Sequence, residues 1–171
     1  MAAGHVLVVD DEPDIRTLVK EILEDEGFRV SVAENAAAAR EARRQQRPDV
    51  VLLDIWMPDT DGISLLREWA ERGGLPCPVI MMSGHGTVET AVEATRLGAY
   101  DFVEKPISLA KLLLTIERAL ENSRLKAENE GLKRQIPVPL EPIGASRPMP
   151  ALRTQLERLA AHDTRLLMLG E

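Results

Sequence analysis

Four short strand-like runs in this sequence end on side chains that can do chemistry. Residues 6–9 run into Asp10 and Asp11, residues 49–53 into Asp54, and residues 78–82 into Ser83. Residues 100–103 lead within two positions to Lys105. A solitary acid behind a strand is commonly the N-cap of the next helix. Three acids, a hydroxyl and a lysine converging on one edge need another reason. Close carboxylates repel and raise one another's pKa unless a cation joins them. Hard oxygen ligands of this kind suit Mg²⁺, which keeps some of its waters and leaves room for a phosphoryl oxygen. A carboxylate can itself be the nucleophile that takes up a phosphoryl group as an aspartyl phosphate. Lys105 would face that group with a point charge, and Ser83 would offer it a hydroxyl donor.

These side chains meet only if the runs lie parallel and adjacent, and the segments between them supply the means. After Asp11, Pro13 opens a helical pattern with Ile15, Leu18, Val19, Ile22 and Leu23 on one face, closed at Gly27. Residues 28–32 read as a strand, 36–46 as an alanine- and arginine-rich helix, and 63–72 as a helix behind a loop holding Pro58 and Gly62. Residues 88–97 form the next helix, and another begins after Pro106. Five strands alternating with five helices predict βαβ units and a doubly wound parallel sheet over residues 1–121. The strands lack polar alternation, as expected when helices cover both faces. In such sheets ligands bind beyond the carboxyl ends of the strands.

The quoted positions carry a family resemblance. Asp10-Asp11, Asp54 with Met57-Pro58 and Gly62 behind it, Ser83-Gly84 and Lys105-Pro106 resemble the receiver domain of bacterial two-component response regulators. The resemblance covers about residues 4–121. It implies a flavodoxin-like (βα)5 fold with strand order 2-1-3-4-5 and a phosphoryl group accepted on Asp54 from a sensor histidine kinase. It implies Mg²⁺ held by Asp11, Asp54 and the backbone carbonyl of Trp56, with Asp10 acting through water. It makes Lys105 and Ser83 phosphoryl-contacting residues, Ser83 and Phe102 the switch pair, and the Lys105–Pro106 bond cis. Without the resemblance, Phe102 reads as core. Such a chain is a self-phosphorylating acceptor and not a turnover enzyme. A receiver that binds protein without being phosphorylated is the module alternative.

A second phosphoryl chemistry must be weighed. Asp59-Thr60-Asp61-Gly62 matches the Asp-x-Asp-Gly pattern of haloacid-dehalogenase-type phosphatases, whose first Asp directly follows a strand. Here Pro58 precedes Asp59, which puts the pair in a loop.

Beyond residue 121 the composition turns polar and helix-favouring. Leu125, Asn129, Leu132 and Ile136 are spaced four, three and four apart, the seam of a short parallel two-stranded coiled coil with Asn129 and Ile136 at a. Residues 122–139 are therefore expected to be a dimerising linker that Pro137 and Pro139 stop. Residues 140–171 read as a turn, a helix over 151–161 and an apolar strand over 165–169, too little to bury a core alone. With Ile143-Gly144 and Ser146, they resemble the entry to the AAA+ domain of sigma-54-dependent activators, cut before the phosphate-cradling loop. ATP hydrolysis, DNA binding and sigma-54 RNA polymerase contact thus do not carry over to this chain. Within those activators the receiver looks most like the NtrX type, through Ile22-Leu23-Glu24-Asp25-Glu26-Gly27, Asp54-Ile55-Trp56 and Gly98-Ala99-Tyr100-Asp101-Phe102. That type implies an NtrY-like membrane-bound kinase as partner and a nitrogen-related pathway.

Composition agrees with a globular chain: 171 residues, 44% hydrophobic, 29% charged, net charge −7. No basic excess marks a nucleic-acid surface. A lone cysteine, Cys77, fits a reducing compartment. No run approaches the length of a membrane span, and the expected location is the cytoplasm. His5, His85 and His162 carry no signal.

Overall fold

Five strands form one parallel sheet in the order β2-β1-β3-β4-β5. They are β1 (Ala3–Val9), β2 (Phe28–Ala33), β3 (Val50–Asp54), β4 (Val79–Ser83) and β5 (Asp101–Glu104). The doubly wound, flavodoxin-like order expected from the sequence is the one observed. The computed structural model describes residues 3–75, 77–84, 87–135 and 146–160. Spatially the chain divides into Met1–Asn129 and Glu130–Glu171.

The helices of the first unit are α1 (Pro13–Asp25), α2 (Ala36–Gln45), α3 (Gly62–Glu71), α4 (Val88–Arg96) and α5 (Leu109–Gln135), the last running on past the unit's end. Local chemistry starts and stops them. Pro13 begins α1, where its missing N–H costs nothing. Asn35, Asp61 and Thr87 cap α2, α3 and α4 by accepting the Ala38, Ser64 and Thr90 amides. Gly27, at φ 85°, turns the chain out of α1 into β2.

Alternate strand residues enter two separate cores. Val6, Val8, Val50, Leu52, Ile80 and Met82 pack with Val19 and Leu23 of α1 and with Leu112, Ile116 and Ala119 of α5. Leu7, Val9, Val51, Leu53, Val79 and Met81 pack with Ala36, Ala39, Leu65, Leu66, Trp69 and Ala94 on the opposite side. Every residue of β3 and β4 is buried. Each fully buried aliphatic side chain contributes about 1.5–3 kcal/mol, and a one-residue slip would turn all of them to the wrong face. That fixes the register, which pairs Val9 with Leu53, Leu53 with Met81 and Met81 with Phe102. Asp10, Asp54 and Ser83 follow at one edge.

In the second unit the described residues hold α6 (Met149–Ala160). It begins two residues before the expected helix. Its Leu152 and Leu156 are half-buried and Leu159 is exposed. Ile136 of the expected seam, His85, His162 and the expected strand over residues 165–169 lie outside the described residues. Among the described residues no helix is long and apolar enough to cross a membrane.

Candidate functional site

Three carboxylates and one ammonium close the carboxyl edge of the sheet. Asp10 extends β1, its amide donating to the Ala33 carbonyl at 3.1 Å. Asp54 ends β3. One carboxylate oxygen from each of Asp10, Asp11 and Asp54 lies within 4.8 Å of the others. Asp10 and Asp54 are buried and Asp11 is exposed. Lys105 reaches across from just past the end of β5, with Nζ 2.8 Å from Asp10 Oδ2, 3.3 Å from Asp54 Oδ1 and 3.2 Å from Glu12 Oε1. Its amide is tied to the Ser83 carbonyl at 2.7 Å, and the following peptide to Pro106 is cis. Asp10 Oδ1 accepts the Glu12 amide at 2.9 Å, but Asp10 Oδ2 and Asp54 Oδ1 have no aligned hydrogen-bond donor.

The electrostatics follow from crowding. Burial first, and then the Asp10 charge, push the Asp54 carboxyl up to about 6, although Lys105 pulls the other way. Burial also works against the Lys105 ammonium, but contact with Asp10 and the charges of Asp54 and Glu12 outweigh it and hold its pKa above the ordinary value. One lysine facing three carboxylates leaves the edge negative. Carboxylate oxygens of Asp10, Asp11 and Asp54 gathered within 4.8 Å of one another are hard donors suited to a small divalent cation, so the residues fit Mg²⁺.

The site is held from below by a close backbone approach. A Cβ on Gly62 would lie 2.0 Å from the Asp54 carbonyl oxygen, and the Gly62 amide donates to the Ile55 carbonyl at 2.8 Å. Only glycine lets α3 start this close to the end of β3.

The family model for the response regulator receiver domain matches residues 6–117 of this chain. The chain belongs to the response regulator receiver family. It is 42% identical over 170 residues to the nitrogen assimilation regulatory protein NtrX of Azorhizobium caulinodans, a match covering 98% of this chain and 37% of that protein. It superposes on the crystal structure of NtrX from Brucella abortus with a TM-score of 0.76 at 46% identity, over 92% of this chain and 35% of that one. The receiver domain of the same Brucella protein, solved alone, matches at TM-score 0.64 and 50% identity, over 68% of this chain and 98% of that one. The NtrX-type resemblance read from the sequence is thus matched by chain and fold alike. The chain spans little more than a third of the length of these full-length NtrX proteins.

The receiver's acidic pocket holds the three acids and the lysine picked out from the sequence. Ser83 is fully buried and pairs with Glu104 of β5, two rungs beyond the pairing of Met81 with Phe102. Ser83 and Phe102 therefore face the same side of the sheet, where Phe102, half-buried, packs on the α2, α3 and α4 core. Trp56 lies just past β3 with its side chain 59% exposed.

Asp59 and Asp61, the pair behind the phosphatase pattern, are helix caps. Asp59 accepts the Ala36 and Ala37 amides of α2 at 3.2 and 3.3 Å, and Asp61 accepts the Ser64 amide at 2.8 Å. Partial burial opposes the Asp59 charge, but these amides outweigh it and hold its pKa below the ordinary value. Two contributors escaped the sequence reading. Glu12 is the third partner of Lys105, and Arg16 donates to the Asp10 carbonyl at 2.6 Å. The unbroken acidic run Asp10-Asp11-Glu12 was the available signal for the first, and Arg16, one turn into α1, had none.

Proposed function

We propose that this chain is the phosphoryl-accepting part of a two-component transcriptional activator, with Asp54 as the acceptor. The observation that carries this reading is the single ammonium of Lys105 within ion-pairing reach of both Asp10 and Asp54, with Asp11 beside them. An Asp54 carboxylate oxygen forms the new bond to phosphorus. The bond from phosphorus to the kinase imidazole breaks, and its electron pair stays on the ring nitrogen, which is then protonated. Asp11, Asp54 and the Trp56 carbonyl would hold Mg²⁺, with Asp10 reaching it through water. The bound cation supplies the positive charge that lets a dianion approach. Without it the donor meets three carboxylates, and two unit charges at about 4 Å repel by about 4 kcal/mol at an effective dielectric near 20. Lys105 then turns its charge to the phosphoryl oxygens, and Ser83 moves its hydroxyl to them as the Phe102 ring turns inward.

The partners follow the NtrX resemblance: an NtrY-like sensor histidine kinase, a cytoplasmic location and nitrogen-responsive transcription. Residues 1–121 serve as receiver, 122–139 as a coiled-coil linker and 140–171 as the entry to an AAA+ domain. Contacts with DNA and sigma-54 RNA polymerase belong to segments beyond this chain. Leu125 and Leu132, 53% and 63% exposed on α5, support a homodimer seam with Asn129 and Ile136. Deleting residues 121–136 should then weaken self-association in sedimentation, and Asn129→Leu should tighten association while loosening oligomer specificity. Unchanged behaviour would move any dimer to receiver surfaces.

Intact mass after acetyl phosphate tests the chemistry. One phosphoryl group per chain is expected with Mg²⁺ and none with EDTA or in Asp54→Asn, while Asp11→Asn should label poorly. Lys105→Ala should still bind metal but lose the Ser83 and Phe102 response. Labelling that persists in Asp54→Asn with EDTA contradicts the assignment.

A further inference from the structure

A groove of about 410 Å³ opens between the carboxyl-terminal halves of α2 and α3, at the other end of the sheet from Asp54. Arg40, Arg43, Arg44, Arg47 and Arg72 line it, with Glu68 as the lining carboxylate. Glu68 is already occupied: Arg40 holds it with a fork, Nε at 3.1 Å and Nη2 at 2.7 Å from Oε2, and Arg72 adds a contact at 3.3 Å. Arg44 is paired at 3.6 Å with Glu41. Among the described residues no carboxylate lies within ion-pairing distance of Arg43 or Arg47. Five guanidiniums against two carboxylates leave three positive charges on a chain whose net charge is −7. The α2 and α3 termini offset part of this, since a helix carboxyl end carries about half a negative charge.

We propose that this groove binds a small polyphosphate anion, recognised through its phosphoryl groups. Guanidinium forks match phosphate oxygens in pairs, and the volume is that of a small-molecule site. Trp69 forms the floor, 5% exposed, and the Arg43 guanidinium lies over its ring at 4.4 Å. The ring therefore presents no free face to a base, and it fixes Arg43 in place. Burial lowers the Arg43 pKa, with Cys77 acting against the shift and the neighbouring charge of Arg47 adding to it.

Calorimetric titration of the whole chain with sodium tripolyphosphate tests this, in EDTA and at an ionic strength near 0.1 M, where screening acts over about 10 Å. One site per chain is expected. It should survive Asp54→Asn, weaken in Arg47→Gln, and weaken at least about tenfold in Arg43→Gln with Arg47→Gln. Arg47 is exposed, so its single variant keeps the test valid if the double variant misfolds. Adenosine triphosphate should bind no more tightly than tripolyphosphate. The proposal is overturned by the absence of saturable binding or by affinity unchanged in the variants. A decaglutamate peptide binding more tightly would overturn it too, by making the groove a docking surface for an acidic protein segment.

Discussion

At the amino end of β1, His5 and Asp49 exchange hydrogen bonds, the His5 amide to Asp49 Oδ2 at 2.7 Å and the Asp49 amide to the His5 carbonyl at 2.8 Å. The buried His5 ring meets Ser31 Oγ at 2.8 Å. At the carboxyl end of the same strand, Asp10 is buried 2.8 Å from a lysine it shares with Asp54, and each acid keeps one oxygen without an aligned donor. Buried polar groups are nearly always satisfied. One end of the strand satisfies its polar groups with neutral partners, the other makes two buried carboxylates share one ammonium, and the crowded end is where the chemistry of the family lies. The difference separates polar groups that hold the fold from polar groups kept ready for a ligand.

Substitutions at the two ends should separate the same way. Gly62→Ala should do most damage, because its Cβ would overlap the Asp54 carbonyl. Urea unfolding should show a loss of about 3 kcal/mol. A neutral result would mean that α3 is free to withdraw and that the acidic edge is not rigidly built. Ser31→Ala removes a satisfied partner at the other end and should cost about 1 kcal/mol, by an amount that Mg²⁺ leaves unchanged. A Mg²⁺-dependent cost would couple the two ends and blur the contrast. Cys77, buried near the amino end of β4, should have no stability role beyond packing. Burial pushes its thiol up to about 11, so at pH 8 the folded chain holds roughly a hundredfold less thiolate than ordinary cysteine. Its reaction with a disulfide reagent should be correspondingly slower than in the urea-unfolded chain.

Much of the carboxyl end was legible in the sequence because strand ends are. Apolar runs such as residues 50–53 have one stable placement, inside a covered sheet, and the next residue is then forced to the edge. Parallel order and alternation with helices brought Asp10, Asp54 and Lys105 together without any contact being known. Glu12 was harder, since its role depends on how far the Lys105 side chain reaches back across the sheet. The capping of α2 by Asp59 joins residues 22 and 23 positions apart, a contact that no local pattern encodes. The arginine groove was half visible: Arg40, Arg43 and Arg44 lie in the segment that reads as an alanine- and arginine-rich helix, and helical spacing alone does not tell a groove from a solvated face. Only the packing of α2 against α3 sets Trp69 and Glu68 beneath them.

The stability of Asp54→Asn across pH tests the stored electrostatic cost most directly. The Asp54 pKa of about 6 lies above its ordinary 3.8, so the folded state binds that proton more tightly than the unfolded chain does. Stability from this group is therefore present below about pH 4 and is lost as pH rises through 6. Without metal at pH 7.5, Asp54→Asn should melt at a higher temperature than the parent chain, and the two should converge as pH falls toward 4. Mg²⁺ should raise the parent at pH 7.5 and narrow the gap, and it should raise Asp54→Asn much less. A variant no more stable than the parent at any pH, or a Mg²⁺ effect equal in both, would contradict the account.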